Sequence, residues 1–252
     1  MEKQQTHFDS IKDAPDSVWH ELSKKKIYFG HQSVGFNIID GIQDVMKDHP
    51  EIKLNIVETA NSSDFKIGLI AHSRVGKNVD PISKIKAFVN FIDQGIGKKA
   101  DAAALKFCYV DIQPETDVDG ILDEYSRSVA ELKKKYPDMK IIHFTDPLTV
   151  NKTSWKTWIK KLIGKKDIRE YGANIKRNEY NQKLIAKYQG KEPIFDIATI
   201  QSTYPDGKRC AFKVKGKTYY SMVPGYSTDG GHLNKIGRKI VAEQFLILLT
   251  KI

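Results

Sequence analysis

The chain has 252 residues, and 41 basic against 31 acidic side chains give it a net charge of +10. At 40% hydrophobic and 10% aromatic it is too apolar to be disordered, and at this length a folded chain buries roughly 70–75% of its unfolded surface. Only six of the basic residues are arginines, the side chain that forks onto phosphate and guanine, so the charge does not point first to nucleic acid.

Short apolar runs alternate with longer amphipathic segments, the pattern of βαβ units around a parallel sheet. Residues 27–30 (Ile-Tyr-Phe-Gly) read as a first strand. Val34 to Lys47 follows as a helix with Ile38, Ile39, Ile42, Val45 and Met46 on one face. Lys53 to Glu58 reads as a second strand. Pro81, suited to a first helical turn, opens a helix with Ile82, Ile85, Phe88, Val89 and Ile92 at helical spacing. Ala102 to Val110 reads as a third strand, and Val118 to Tyr136 as a charged helix with Ile121, Leu122, Tyr125, Val129 and Leu132 inward. Met139 to Phe144 is a fourth strand. A polar insertion covers residues 150–190, with a helix near 174–189. Pro193 to Ile197 is a fifth strand. Residues 211–222 form a small hairpin turning at Lys215-Gly216-Lys217, and Leu233 to Leu249 is the final helix. The expectation is one α/β domain over 1–252, doubly wound, with three α/β/α layers and a five-stranded parallel sheet. Ligands of such folds sit beyond the carboxyl ends of the strands.

No run approaches the ~18 apolar residues of a membrane-spanning helix. The opening MEKQQTHFDS has no apolar signal-peptide core, which leaves a cytoplasmic location and export after signal removal both open. Cys108 and Cys210 have no metal-ligand spacing. Cys108 reads as a small buried hydrophobe, with a single bridge between the two as the alternative. The stretch from Lys152 to Lys166 interleaves lysines with Trp155 and Trp158. It reads either as a solvated helix with inward tryptophans or as a basic, aromatic lip for an anionic or glycan surface. No cluster points to a metal, a nucleotide or a flavin, and neither GxGxxG nor GxxxxGK[ST] occurs.

Two local patterns carry chemistry. Gly30-His31-Gln32-Ser33-Val34-Gly35 places a serine in a Gly-flanked strand-to-helix turn. That turn exposes the hydroxyl beside the backbone N–H groups of a helix N-terminus; the plainer alternative is that Ser33 caps the helix. Some 200 residues on, Asp229-Gly230-Gly231-His232-Leu233-Asn234 puts a carboxylate three residues before a histidine. There it can fix the imidazole tautomer; the plainer alternative is that Asp229 is a helix cap and His232 a surface residue.

Together these two patterns resemble the SGNH (GDSL-type) hydrolase superfamily, over about Lys26 to Ile252 in layout. The resemblance implies a flavodoxin-like fold, with Ser33 as nucleophile, His232 as general base then acid, and Asp229 as the orienting carboxylate. It implies acyl transfer through an acyl-enzyme, with no metal or other cofactor. The family's second block supplies an oxyanion-binding glycine; Gly76 is the best match and Gly68 a poorer one. The third block reads GxND, and here Phe107-Cys108-Tyr109-Val110-Asp111 stands in its place with no asparagine. An ionised Asp111 would repel an oxyanion, which leaves Asn78 as a substitute donor. Gln32 stands where the family usually has Asp. His31, Gln32, Arg177 and Tyr226 are candidate substrate contacts, with Arg177 in a polar stripe alongside Asn178, Tyr180 and Asn181. His72 and Ser73 read as a rim or as structural, and His143 as a satisfied sheet histidine.

The expected activity is hydrolysis of a small ester, such as the O-acetyl group of an acylated carbohydrate. Two other activities fit the same scaffold. One is a glycan- or polyanion-binding module; the other is acyl transfer to an acceptor other than water.

Overall fold

The tightest constraint on the fold is a strand buried on both faces. Residues Lys26–His31 form β1, whose last five residues are all buried. Ile27 and Phe29 enter one apolar cluster and Tyr28 the other, the period-2 alternation of a strand with both faces covered. The structure, a computed structural model, describes residues 10–151 and 171–252; the Lys152–Lys166 stretch lies outside them.

In chain order, α1 (Asp16–Lys24) precedes β1, and α2 (Val34–Asp48) follows it. Then come β2 (Ile56–Glu58), β3 (Leu69–Arg74), α3 (Pro81–Asp93), β4 (Ala102–Leu105), α4 (Val118–Lys135) and β5 (Lys140–Phe144). After these come α5 (Gly172–Tyr188), β6 (Ile194–Phe195), α6 (Ile197–Gln201), β7 (Ala211–Val214), β8 (Lys217–Tyr220) and α7 (Lys235–Leu249). The strand order is β2-β3-β1-β4-β5-β6, every pair parallel. The chain winds outward from β1 to one edge, then returns to β4 and winds to the other. The ends of β1 and β4 therefore flank the switch point, where such sheets bind ligands.

The sheet has six strands where the sequence predicts five. Lys53 to Glu58 contributes only the three-residue edge strand β2, and the inner neighbour of β1 is the unpredicted β3. The run Leu69-Ile-Ala-His-Ser-Arg74 ends in polar residues and does not read as apolar. Its His72 and Ser73 are nevertheless accommodated by contacts to β1, with His31 and the Tyr28 hydroxyl respectively. The third predicted strand ends at Leu105, because the Asp111 carboxylate takes the Cys108 N–H and the chain turns there. The fifth is cut to two residues by Asp196, which caps α6 through the Thr199 N–H. In the hairpin the turn is two residues, Lys215 (φ +49°) and Gly216 (φ +82°), with Lys217 already in β8. Both cysteines are free thiols, Cys108 buried, so no Cys108–Cys210 bridge forms.

One face of the sheet is covered by α1, α2 and α7, the other by α3, α4 and α5. On the first face Phe29, Phe144, Phe195 and Phe245 form a ring cluster with centroids 4.9–5.6 Å apart. Each fully buried Phe of this kind contributes about 1.5–3 kcal/mol. Helices α2 and α7 lie close at Gly41, where an added Cβ would lie 2.3 Å from the Arg238 carbonyl oxygen. Arg238 itself reaches across to Asp44, its Nε donating at 2.8 Å. Gly41→Ala should therefore push the helices apart, at about 1–3 kcal/mol for overpacking. At roughly 2–4 °C per kcal/mol for this size, a melt should fall by several degrees. Gly225→Ala, at a position with nothing within 4 Å, is the control and should leave the melting temperature in place.

Candidate active site

The turn after β1 is bent by the backbone. Ser33 has φ +44° and ψ −101°, a conformation that L-residues adopt only when the surroundings enforce it. Ser33 stands at the N-cap of α2, yet its hydroxyl makes no capping bond. The Ser33 Oγ instead hydrogen-bonds His232 Nε2. The plain capping alternative is thereby displaced.

On the other side of the imidazole, Nδ1 lies 2.6 Å from Asp229 Oδ2. Asp229 Oδ1 accepts the Gly231 and His232 N–H groups, each at 2.8 Å, and the Ser227 hydroxyl at 3.2 Å. These donors, led by the Gly231 N–H, hold the carboxyl well below the usual carboxylate range. It does not cap α7: that is done by Asn234, whose Oδ1 accepts the Ile236 and Gly237 N–H groups. The loop is tied to α2 by the Leu233 N–H, which donates to Asn37 Oδ1 at 3.1 Å. Two elements separated by 199 residues thus present a continuous chain, carboxylate to imidazole to hydroxyl. The His232 and Asp229 side chains are 42% and 54% exposed, so the described residues leave the chain open to solvent.

The loop after β3 runs beside this turn. Gln32 Nε2 donates to the carbonyls of Val75 (3.2 Å) and Gly76 (3.0 Å). Because a trans peptide points its C=O and N–H in opposite directions, the Val75 contact turns the Gly76 N–H away from Gln32. Gly76 has φ +53°, and an added Cβ would lie 2.5 Å from the Lys84 backbone nitrogen, so only glycine fits. Asn78 Oδ1 accepts from Lys84 Nζ at 3.0 Å, which leaves its amide NH2 as the free end.

The other sequence candidates are drawn into the protein's own framework. His31 is fully buried beneath α2, its Nε2 3.1 Å from His72 Nδ1 and its ring against Phe29 and Phe36. Burial pushes its pKa down to about 2, so the imidazole is neutral. Gln32 spends its amide on the β3 loop. Arg177 is 3% exposed and donates to the Tyr109 carbonyl, Thr149 Oγ1 and Asn174 Oδ1, all at 2.9 Å. It clamps the ends of β4 and β5. Its neighbours do likewise: Asn178 pairs with the Tyr220 backbone and Asn181 with that of Asp146, while Tyr180 is buried. Tyr226 is buried and gives its hydroxyl to the Thr203 carbonyl at 2.9 Å. His143 is a buried sheet histidine between Tyr125 and Glu192.

Two residues the motif reading passed over pack against residues it named. Tyr109 stands edge-on to His232 with ring centroids 5.6 Å apart, and it fills the space a Cβ on Gly231 would need. Lys84 is fully buried and paired with Asp111. Its spacing was legible: it lies four residues before Phe88, on the apolar face of α3. Among the described residues no group of three or more His, Cys, Asp and Glu side chains could hold a metal ion, and no helix is long and apolar enough to cross a membrane.

This parallel six-stranded sheet, with helices on both faces, is a three-layer α/β/α fold, and it carries a Ser–His–Asp chain at its switch point. No family model matches the sequence, and no curated protein does. Solved structures do. A Parabacteroides merdae protein described as a GDSL-like lipase aligns with 92% of this chain and 99% of its own, at 10% identity and TM-score 0.55. A Streptococcus pneumonia protein described as a platelet activating factor aligns with 91% of this chain and 88% of its own, at 14% identity and TM-score 0.50. At such identities the likeness is one of fold.

Proposed function

We propose that the protein is a serine ester hydrolase that works through an acyl-enzyme on Ser33. The observation that carries this reading is the chain from Asp229 through His232 to a hydroxyl held in a strained turn. The likeness of fold to a protein described as a GDSL-like lipase supports the hydrolase class.

In the first half-reaction His232 Nε2 takes the Ser33 proton as Oγ attacks the ester carbonyl carbon. Asp229 holds the imidazole with its proton on Nδ1 and stabilises the imidazolium. The carbonyl oxygen becomes an oxyanion, met by the N–H groups of Ser33 and Gly76 and by the Asn78 NH2. As the tetrahedral intermediate collapses, His232 returns the proton to the leaving alkoxide. Water repeats the sequence on the acyl-enzyme and releases the acid. A triad this open suits a small acyl group on a larger carrier, such as an O-acetyl group on a carbohydrate.

The test is covalent. A fluorophosphonate should label the protein once, at Ser33 by peptide mapping, and should block hydrolysis of p-nitrophenyl acetate in proportion. Turnover that survives full labelling, or labelling elsewhere, would overturn the reading. Transfer of the acetyl group to an added sugar in place of water would move the assignment to acyl transfer with the same residues.

A further inference from the structure

The chain has no asparagine in the segment after β4, where the resemblance expects an oxyanion donor, and the loop after β3 is held by an uncommon device. Lys84 and Asp111 form an ion pair with both side chains at zero exposure, Nζ to Oδ2 at 2.5 Å. A buried pair of this kind is weak as a source of stability, because desolvating two charges offsets most of their attraction; its best-attested use is to select one arrangement among several. What this pair selects can be read from its remaining bonds. Lys84 Nζ also donates to Asn78 Oδ1 at 3.0 Å. Asp111 Oδ1 accepts the Val79 N–H at 2.9 Å, and Oδ2 accepts the Cys108 N–H at 2.7 Å. The pair therefore joins three segments: the loop after β3, the first turn of α3 and the loop after β4.

The loop it grips is under strain. Val79 is β-branched, 69% exposed and has φ +66°, a genuine outlier for its residue type. Its N–H is held by the hydrogen bond to buried Asp111, and the turn around it is closed by the Asp80 N–H on the Lys77 carbonyl. Three residues earlier, Gly76 has φ +53° and lies directly against the Lys84 backbone. The loop is further fixed by the Lys77 N–H on Ser83 Oγ at 2.9 Å and by Gln32 on the Val75 and Gly76 carbonyls.

We propose that Lys84 and Asp111 are positioning residues for oxyanion stabilisation, holding the Gly76 amide and the Asn78 NH2 in register with Ser33 in place of the absent asparagine. The inference rests on the ester hydrolase reading. Neither residue touches substrate. The effect is on kcat, because a misplaced donor loses contact with the charge that develops in the transition state and changes ground-state binding little.

The deciding experiment separates stability from position. In Lys84→Met/Asp111→Leu the charges are replaced by apolar groups of similar volume, and buried pairs replaced in this way commonly keep or gain stability. The variant is expected to fold, losing stability only through the Cys108 N–H, Val79 N–H and Asn78 Oδ1 that the pair no longer meets, with kcat for p-nitrophenyl acetate at least tenfold lower and KM within threefold. If kcat in the folded variant stays within twofold of wild type, the pair is only structural and the inference is overturned. Should the double variant not fold, Asp111→Asn decides. Each orientation of its amide sets the NH2 against a donor, either the Val79 N–H or Lys84 Nζ with the Cys108 N–H. A kcat at least fivefold lower in folded protein is expected; a kcat within twofold of wild type overturns the inference. Hydrogen exchange over residues 75–80 gives a readout that needs no turnover. Protection there should fall in the double variant while α3 keeps its own, and unchanged exchange overturns the inference. Absence of Ser33-dependent turnover in the wild-type protein would instead overturn the hydrolase reading, leaving the exchange measurement to judge the positioning role.

Discussion

Ser33→Ala should lower kcat for an aryl acetate by about 10⁴–10⁶, approaching the loss of about 2 × 10⁶ in a serine protease without its nucleophile. What remains should be the slow attack of water helped by the donors around the site. His232→Ala should fall as far, and the double variant no further, because the two side chains act in one step. A second measurement ties the loss to the turn's geometry. Ser33 sits at φ +44°, where alanine is strained and glycine is not. Both Ser33→Ala and Ser33→Gly lack the hydroxyl and its bond to His232, so their difference isolates the backbone. Glycine regains most of a strain of about 1–3 kcal/mol and gives back about 0.4–1 kcal/mol in unfolded-state entropy. A net gain of about 1 kcal/mol corresponds to a melting temperature roughly 2–4 °C above that of Ser33→Ala. Equal melting temperatures would mean that the turn is relaxed in solution. An active Ser33→Ala would remove the nucleophile assignment altogether.

The long helices after β1 were legible in the sequence, α1 and the short α6 were not, and the sheet was legible only in part. An amphipathic helix repeats its signal over several turns, so Ile38, Ile39, Ile42 and Val45 locate α2 to within a residue of its observed end. A strand buried on both faces has no such periodicity. It is recognised by a continuous apolar run, and β3 lacks one because it ends in a buried His72 and a half-buried Ser73 that are bonded to partners on β1. Those partners, His31 and Tyr28, lie more than 40 residues away.

The candidate site divides in the same way. Asp229 and His232 are three residues apart, so a local loop brings them together and a local reading finds them. Ser33 needs only its own turn to be noticed. Arg177 and Tyr226 have side chains suited to substrate contact, and whether they face a ligand or the protein depends on acceptors that no local pattern contains. For Arg177 these are the Tyr109 carbonyl and Thr149 Oγ1; for Tyr226 it is the Thr203 carbonyl. Lys84 is the opposite case, a charge on the apolar stripe of a helix. Such a placement requires a buried counter-ion, and Asp111 supplies it.

Asp229→Asn should lower kcat by about 10³–10⁴ at neutral pH. The same change in a serine-protease triad reaches about 10⁴, and the solvent exposure of this carboxylate argues for the lower part of the range. The reason lies in the acceptor count. Asp229 uses Oδ2 for His232 Nδ1 and Oδ1 for the Gly231 and His232 N–H groups. An asparagine can satisfy only one side. With its NH2 toward the backbone, two N–H groups face another donor and the 229–232 loop loosens. With its NH2 toward Nδ1, the imidazole must carry its proton on Nε2, facing Ser33 Oγ, where it cannot act as a base. Because the folded carboxyl is held well below its ordinary pKa, Asp229 stabilises the loop above the unfolded value of about 3.9. That stabilisation is lost only as pH falls through the depressed folded value. The difference in melting temperature between wild type and Asp229→Asn should therefore be the same at pH 7 and pH 5 and shrink under stronger acid. A difference that already vanishes at pH 5, with kcat within tenfold of wild type, would show that the carboxylate neither anchors the loop nor orients His232.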